Sequence, residues 1–217
     1  SLDQSLVRMG LDYVDVFYSH RYDPETPLEE TMQALVDIVR QGKALYVGLS
    51  KYPAGKAEEA YRYLEARDVH CLLYQGRYNL FDRAPEEEGI LGQARAYGVG
   101  FIAFSPLAQG LLTSRYLQGV PEDSRMAQGR FLKREVLTEA VLGKIKALDR
   151  VAAERGQTLA EMSLAWVLKD ELVTSVIIGA SSVAQLEDNL KALRKVDFSK
   201  EELDRIEAIC HTPDGGQ

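Results

Sequence analysis

The 217-residue chain holds two cysteines, Cys71 and Cys210, and three histidines. Thiols so few and so far apart build neither a disulfide framework nor a zinc knuckle. No spacing of His, Cys, Asp or Glu forms a metal-ligand set. A reducing, cytoplasmic compartment is the expectation. No run approaches the roughly 18 apolar residues of a membrane span, and no charged-then-apolar leader opens the chain. Positive charge is scarce as well: 26 Lys and Arg against 33 Asp and Glu leave a net charge of -7. That balance argues against nucleic acid as the main partner, because its phosphates need a basic surface. It leaves room for a small anion held by backbone amides and one or two basic side chains.

What remains, 46% hydrophobic and 27% charged residues, suits one soluble domain spanning residues 1–217. The opening "SLDQSLVRMG" reads as a helix with Leu2, Leu6 and Met9 on one face, and Ser1 and Gln4 suit a capping box. A chain that opens on Ser1 inside a helical pattern reads as starting within a longer protein. β-rich runs then alternate with amphipathic stretches. The expected strands are Tyr13 to His20, Ala44 to Ser50, His70 to Gln75, Val99 to Ser105 and Val173 to Gly179. The expected helices are Thr26 to Gln41, Ala54 to Arg67, Pro85 to Tyr97, Glu135 to Arg155, Leu159 to Lys169, Val183 to Leu193 and Lys200 to Cys210, with a loose tail after Thr212.

Such alternation means βαβ units and parallel strands. "FIAF" and "SVII" are apolar on both faces, as strands of a covered parallel sheet must be. Two architectures meet this pattern, an open doubly wound sheet and a (β/α)8 barrel. Five units are too few to close the usual eight-stranded barrel.

Four of the five strands end in polar residues: Ser19-His20, Ser50, Gln75 and Ser105. In α/β folds sites form at the C-terminal ends of strands, so the set points to one shared cavity. Capping and turn formation are the alternative for the set, and more so for each residue alone. In "SPLAQG", Pro106 fixes the backbone at the strand exit and small residues let a ligand approach the amides, an arrangement able to hold a pyrophosphate. Phe104 either offers a flat face to an aromatic heterocycle or packs in the core. Gly179, Ala180 and Ser181 stand at the mouth of a helix that starts near Val183, with Gln185, Asp188 and Asn189 on its first turns. An anion is favoured there, although Ser181 or Ser182 also suits a plain cap. His20 is the one histidine at a strand end.

Taken together, "SLVRMGLDYVDVFYSHRYD", "GKALYVGLSKY", "LLYQGRYNLFDR", "FSPLAQGLLTSRY" and "VIIGASSVAQLEDN" resemble the successive strand-end motifs of the aldo-keto reductases. The match runs over nearly the whole chain. Within the family it resembles the bacterial glyceraldehyde 3-phosphate/methylglyoxal reductase branch, related to the potassium-channel β-subunits. The resemblance implies an α/β fold of the (β/α)8 TIM-barrel type, here as about five C-terminal strand–helix units of an incomplete barrel. It implies NADP as cofactor and a small carbonyl compound as substrate. Ser50 and Gln75 would hold the nicotinamide carboxamide, and Phe104 would stack on the ring. Ser105, Pro106, Leu107 and Ala108 would line the pyrophosphate, with Arg115 and Arg125 over the phosphates. Gly179, Ser181, Gln185, Asp188 and Asn189 would take the adenosine 2′-phosphate and adenine, Asp188 standing where the family more often has Glu.

The departure is at the front of the chain. The family pairs a proton-donating tyrosine with a lysine and an aspartate, and a histidine orients the carbonyl. Only the histidine, His20, is placed here; none of Tyr13, Tyr18, Tyr46 or Lys43 matches the other motifs. The 217 residues alone are therefore expected to be nearly inactive, since a positioned general acid contributes roughly 10²–10⁴-fold. The alternatives are a redox-sensing module like the channel β-subunits, whose resembling members carry asparagine at the His20 position, and a fragment without a ligand. A five-strand arc also leaves two edges open, which a homo-oligomer would cover.

Overall fold

The computed structural model of the chain describes residues 1–117 and 136–211. Helix α1 (Leu2–Met9) leads into β1 (Val14–Ser19), α2 (Leu28–Arg40), β2 (Ala44–Ser50), α3 (Ala54–Glu65) and β3 (Cys71–Arg77). Short helices α4 (Ala84–Glu87) and α5 (Ile90–Ala96) precede β4 (Gly100–Phe104). Then come α6 (Glu139–Glu154), α7 (Leu159–Val167), β5 (Ser175–Ile177), α8 (Val183–Leu190) and α9 (Lys200–Cys210). The five strands form one sheet in chain order, β1-β2-β3-β4-β5, and β1–β2 and β2–β3 pair in parallel. A doubly wound sheet reverses its strand order at a switch point. This order has no reversal, so the barrel-type arrangement stands, incomplete in this chain.

The chain divides into two compact units. One holds Ser1–Gly76, Ala84–Ile102 and Leu172–Thr174; the other holds Arg77–Arg83, Ala103–Glu171 and Ser175–Gln217.

In the first unit α2 buries Leu28, Met32, Leu35 and Val36, and α3 buries Ala57, Ala60, Tyr61 and Leu64. Close approach explains two glycines. A Cβ at Gly48 would lie 2.5 Å from Tyr18 Cε1, and Tyr18 is its register partner on β1. A Cβ at Gly76 would lie 2.7 Å from Phe101 Cζ, whose ring stacks on Tyr74 at 5.8 Å. The capping box expected at Ser1 and Gln4 does not form. Ser1 makes no side-chain cap; instead Ser5 Oγ donates to the Ser1 carbonyl at 3.2 Å. The single helix expected from Pro85 to Tyr97 is split into α4 and α5 because Gly89 takes a left-handed φ of 76°. That conformation ends one helix and cannot lie inside another.

In the second unit α6 starts at Glu139, where Thr138 accepts a capping bond from the Val141 amide. Capping boxes open α7 (Thr158 with Glu161) and α9 (Ser199 with Glu202). The core holds Trp166, Tyr78, Leu148, Ile145 and Met162. The expected last strand shortens to Ser175–Ile177, and α8 tightens into a 3-10 turn at Lys191–Arg194. The tail after Thr212 lies outside the described residues. No helix among the described residues is long and apolar enough to cross a membrane.

Buried Arg155 ties α6 to the region before α9. Its guanidinium pairs with Glu202 at 2.5 Å, donates to the Asp197 carbonyl at 3.0 Å and lies 3.7 Å from the Phe198 ring centroid. Burial alone would raise the Glu202 carboxyl, but the Ser199 backbone bond, Arg155 and Lys195 hold it below its ordinary 4.5. A depressed carboxyl stabilises the fold above its unfolded pKa and loses that contribution as pH falls through the folded value. On acidification from about pH 6 to about pH 3, the Tm of the parent is expected to fall more steeply than that of Glu202→Gln. Parallel Tm curves would refute this assignment.

Candidate functional site

The second unit contains a cavity of about 520 Å³. One wall is the end of β4 and the loop after it: Phe104, Ser105, Pro106, Leu107, Gln109 and Gly110, continuing to Thr113 and Arg115. The facing wall is Ile177, Ile178, Gly179, Ala180 and Ser181 at the end of β5, with Gln185 from α8. The loop wall has an unusual backbone. Ser105, Ala108 and Gln109 have φ of 52°, 47° and 60°, left-handed values in residues that carry a Cβ. Such conformations cost about 1–3 kcal/mol each and persist where surrounding bonds over-determine them. Here Ala108 N–H donates to Ser105 O at 2.9 Å, Gly110 N–H to Leu107 O at 2.8 Å, and Thr113 Oγ1–H to Gly110 O at 2.7 Å. Among the described residues the buried Gln109 Oε1 meets no hydrogen-bond donor. At the other wall Ser182 is the N-cap, accepting from the Gln185 amide at 3.1 Å. Ser181 instead donates its N–H and Oγ–H to Gln185 Oε1 at 2.7 and 2.9 Å. The amide is thereby fixed against the cavity mouth, with Nε2 as its donor end.

The cavity thus gathers Phe104, Ser105, Pro106, Leu107, Arg115, Gly179, Ser181 and Gln185. Ala108, in the same loop, is buried. Asp188 forms an ion pair with Lys191 at 2.6 Å, and Asn189 is buried, its Nδ2 without an acceptor among the described residues; neither is among the residues lining the cavity. Arg125 lies outside the described residues.

In the first unit Ser50 ends β2 and is the register partner of Gln75, which lies two residues inside β3 because that strand runs on to Arg77 instead of stopping at Gln75. Ser50 is buried and Gln75 half-buried. The backbone after Ser50 is clamped: Tyr74 Oη donates to Tyr52 O at 2.7 Å and accepts from Tyr52 N–H at 3.1 Å. The Tyr52 hydroxyl in turn bonds Ser19 Oγ at 2.7 Å, at the end of β1. Exposed His20 follows directly. Burial pushes the Tyr74 phenol up to about 12 and also raises Tyr18 and Tyr52, so these phenols keep their protons at neutral pH. Lys43 is paired with Asp3 at 2.8 Å. Burial raises Cys71 to about 12 and Cys210 to about 11, which leaves neither thiol as a nucleophile.

The model of the aldo/keto reductase family matches residues 1–211. The chain belongs to the aldo/keto reductase family. The L-glyceraldehyde 3-phosphate reductase of Escherichia coli O157:H7 is 50% identical over 219 residues, covering 99% of this chain and 63% of that protein. A probable voltage-gated potassium channel subunit beta of Oryza sativa subsp. japonica is 39% identical over 213 residues, covering 96% of this chain and 65% of that one. Among solved structures, a thermostable aldo-keto reductase in complex with the inhibitor epalrestat aligns with a TM-score of 0.73 at 31% identity, covering 96% of this chain and 64% of the other. The chain therefore spans less than two thirds of the length of these aldo/keto reductase relatives.

Sequence reasoning took Gln109 only as part of the "SPLAQG" turn, with no role for its side chain, and passed over Thr113; both are on the cavity wall of this aldo/keto reductase chain. The only available signal was their place inside the motif "SPLAQGLLT". A left-handed glutamine has no compositional mark.

Proposed function

We propose that this chain is the cofactor-binding part of an NADPH-dependent reductase of small aldehydes and ketones, of the methylglyoxal or glyceraldehyde phosphate kind. The observation that carries the reading is the second-unit cavity. A strained amide-bearing loop faces a helix mouth across about 520 Å³, a size usual for ligand sites.

In this reading Ser105, Pro106, Leu107 and Ala108 hold the pyrophosphate, with Arg115 and Arg125 supplying positive charge. Gly179, Ser181 and Gln185 take the adenosine 2′-phosphate at the start of α8, with Asp188 and Asn189 toward the adenine. Phe104 gives the nicotinamide ring a flat face. Ser50 and Gln75 hold its carboxamide, and the Tyr74–Tyr52 clamp keeps Ser50 in place. His20 orients the substrate carbonyl. The bound cofactor supplies the hydride. The proton donor of the family reaction has no counterpart among these 217 residues, so turnover belongs to the intact protein.

Nicotinamide fluorescence titration and steady-state NADPH oxidation with methylglyoxal test the proposal. Absence of binding at high micromolar NADPH would end it. Binding without turnover in the intact protein would favour a redox-sensing module, the second reading, motivated by the 39% identity to a channel β-subunit. Gln185→Ala is expected to weaken NADPH roughly tenfold, the value of one charge-assisted hydrogen bond, and NADH far less. Equal weakening of both would contradict the 2′-phosphate placement.

A further inference from the structure

We infer that Asn79 is a positioning residue for the phosphate end of this site: its side-chain amide holds Ser105 in the left-handed conformation that starts the cavity loop. The inference rests on the cofactor reading above and names the residue that shapes the wall.

Asn79 is fully buried, and burial of a carboxamide is costly unless both ends are used. Both are. Oδ1 accepts from the Phe81 amide at 2.9 Å, and Nδ2–H donates to Ser105 O at 3.0 Å. The amide orientation follows from these partners, because the Phe81 amide requires an acceptor and the Ser105 carbonyl a donor. The backbone of Asn79 is fixed separately by two bonds with Asp82, each 3.1 Å, and Asp82 is held by Arg77 at 3.0 Å. Asn79 therefore sits in a rigid turn, and Nδ2 is the one of these contacts that reaches the cavity loop.

Ser105 needs such a contact. Its φ of 52° is disfavoured for a serine. Its carbonyl accepts two donors, Asn79 Nδ2–H and the Ala108 amide at 2.9 Å. The Ala108 bond belongs to the loop and is lost together with the loop conformation. The Asn79 bond comes from outside it. Rotation of Ser105 to an ordinary φ would carry its carbonyl away from both donors. Asn79 thus supplies the over-determination that strained backbone requires, and through Ser105 it sets the amides of Leu107 to Gly110.

The test is a double-mutant cycle in the intact protein, read by NADPH fluorescence titration and by the urea midpoint. Asn79→Asp keeps the size of the side chain and the acceptor for Phe81, but turns an oxygen toward Ser105 O. NADPH affinity is expected to fall about tenfold or more. Glycine carries no penalty at positive φ, so in the Ser105→Gly background the same Asn79→Asp change is expected to cost clearly less, in both affinity and urea midpoint. A generic packing role predicts equal losses in the two backgrounds, and that result, or unchanged NADPH affinity of Asn79→Asp, would overturn the inference. If Asn79→Asp does not fold, Asn79→Ser is read in its place, since it removes the reach to Ser105 without adding charge. Failure of the parent protein to bind NADPH would sink the functional reading, while the cycle in urea midpoint would still decide whether Asn79 restrains Ser105.

Discussion

Trp166→Ala is expected to destabilise the protein by about 3–5 kcal/mol, the range for emptying a buried aromatic site. Trp166 is the only tryptophan and is almost fully buried. Its ring meets Tyr78 at a centroid distance of 5.4 Å. Arg83 Cζ lies 4.5 Å and Lys169 Nζ 4.0 Å from the ring centroid. Alanine would leave a cavity and remove the π-face from two cations, a further 0.5–2 kcal/mol by order of magnitude (~) for each desolvated contact. Typical domains have about 5–15 kcal/mol in total, so the variant should stand close to its unfolding threshold. Urea denaturation followed by circular dichroism is the measurement, because the variant has no indole to report. A loss below about 1 kcal/mol would show that the site collapses without cost. The loss would also reach function, since Tyr78 directly precedes Asn79 and its amide donates to Phe104 O at 3.4 Å.

The strands were legible because their chemistry is local. "ALYVGLS" is strand over the whole range read from it, Ala44–Ser50, since β-branched and aromatic residues bounded by Gly42 leave little choice of period. The sheet order was not legible: alternation of strand and helix is the same in a wound sheet and in a barrel arc, and only the pairing of neighbours distinguishes them. Gly89 was missed as a break because glycine within a helical pattern is tolerated unless its φ turns positive, and φ depends on context. Ser181 and Ser182 were equivalent as caps on paper; the register of α8 makes Ser182 the cap and leaves Ser181 to Gln185. The cavity wall was partly visible through its motif. Its strained positions at Ser105, Ala108 and Gln109 were not, because the restraint on Ser105 comes from Asn79, 26 residues earlier in the chain. Restraints of that kind are tertiary and leave no local pattern.

His20→Ala is expected to lower kcat of the intact protein by about 10²–10⁴-fold, the contribution of a positioned polar catalytic group, while NADPH affinity changes by less than about twofold. The split follows from where the residue sits. His20 is exposed just after the end of β1, and it is not one of the residues that line the second-unit cavity. Its backbone is held by its neighbour: Ser19 Oγ bonds Tyr52 Oη at 2.7 Å, and Tyr52 is clamped at both its N–H and its carbonyl by buried Tyr74. Removing the imidazole therefore leaves the strand end in place, and the loss should appear in turnover and not in stability or cofactor binding. A fall in kcat and kcat/KM together would mark an interaction made in the transition state; a change in KM alone would mark ground-state binding. His20→Asn separates the two readings of the chain. The shorter asparagine amide would not place its hydrogen bond where the imidazole orients the carbonyl, so an enzyme should lose turnover while a cofactor sensor should be indifferent. Full activity of His20→Ala would remove this residue from the chemistry.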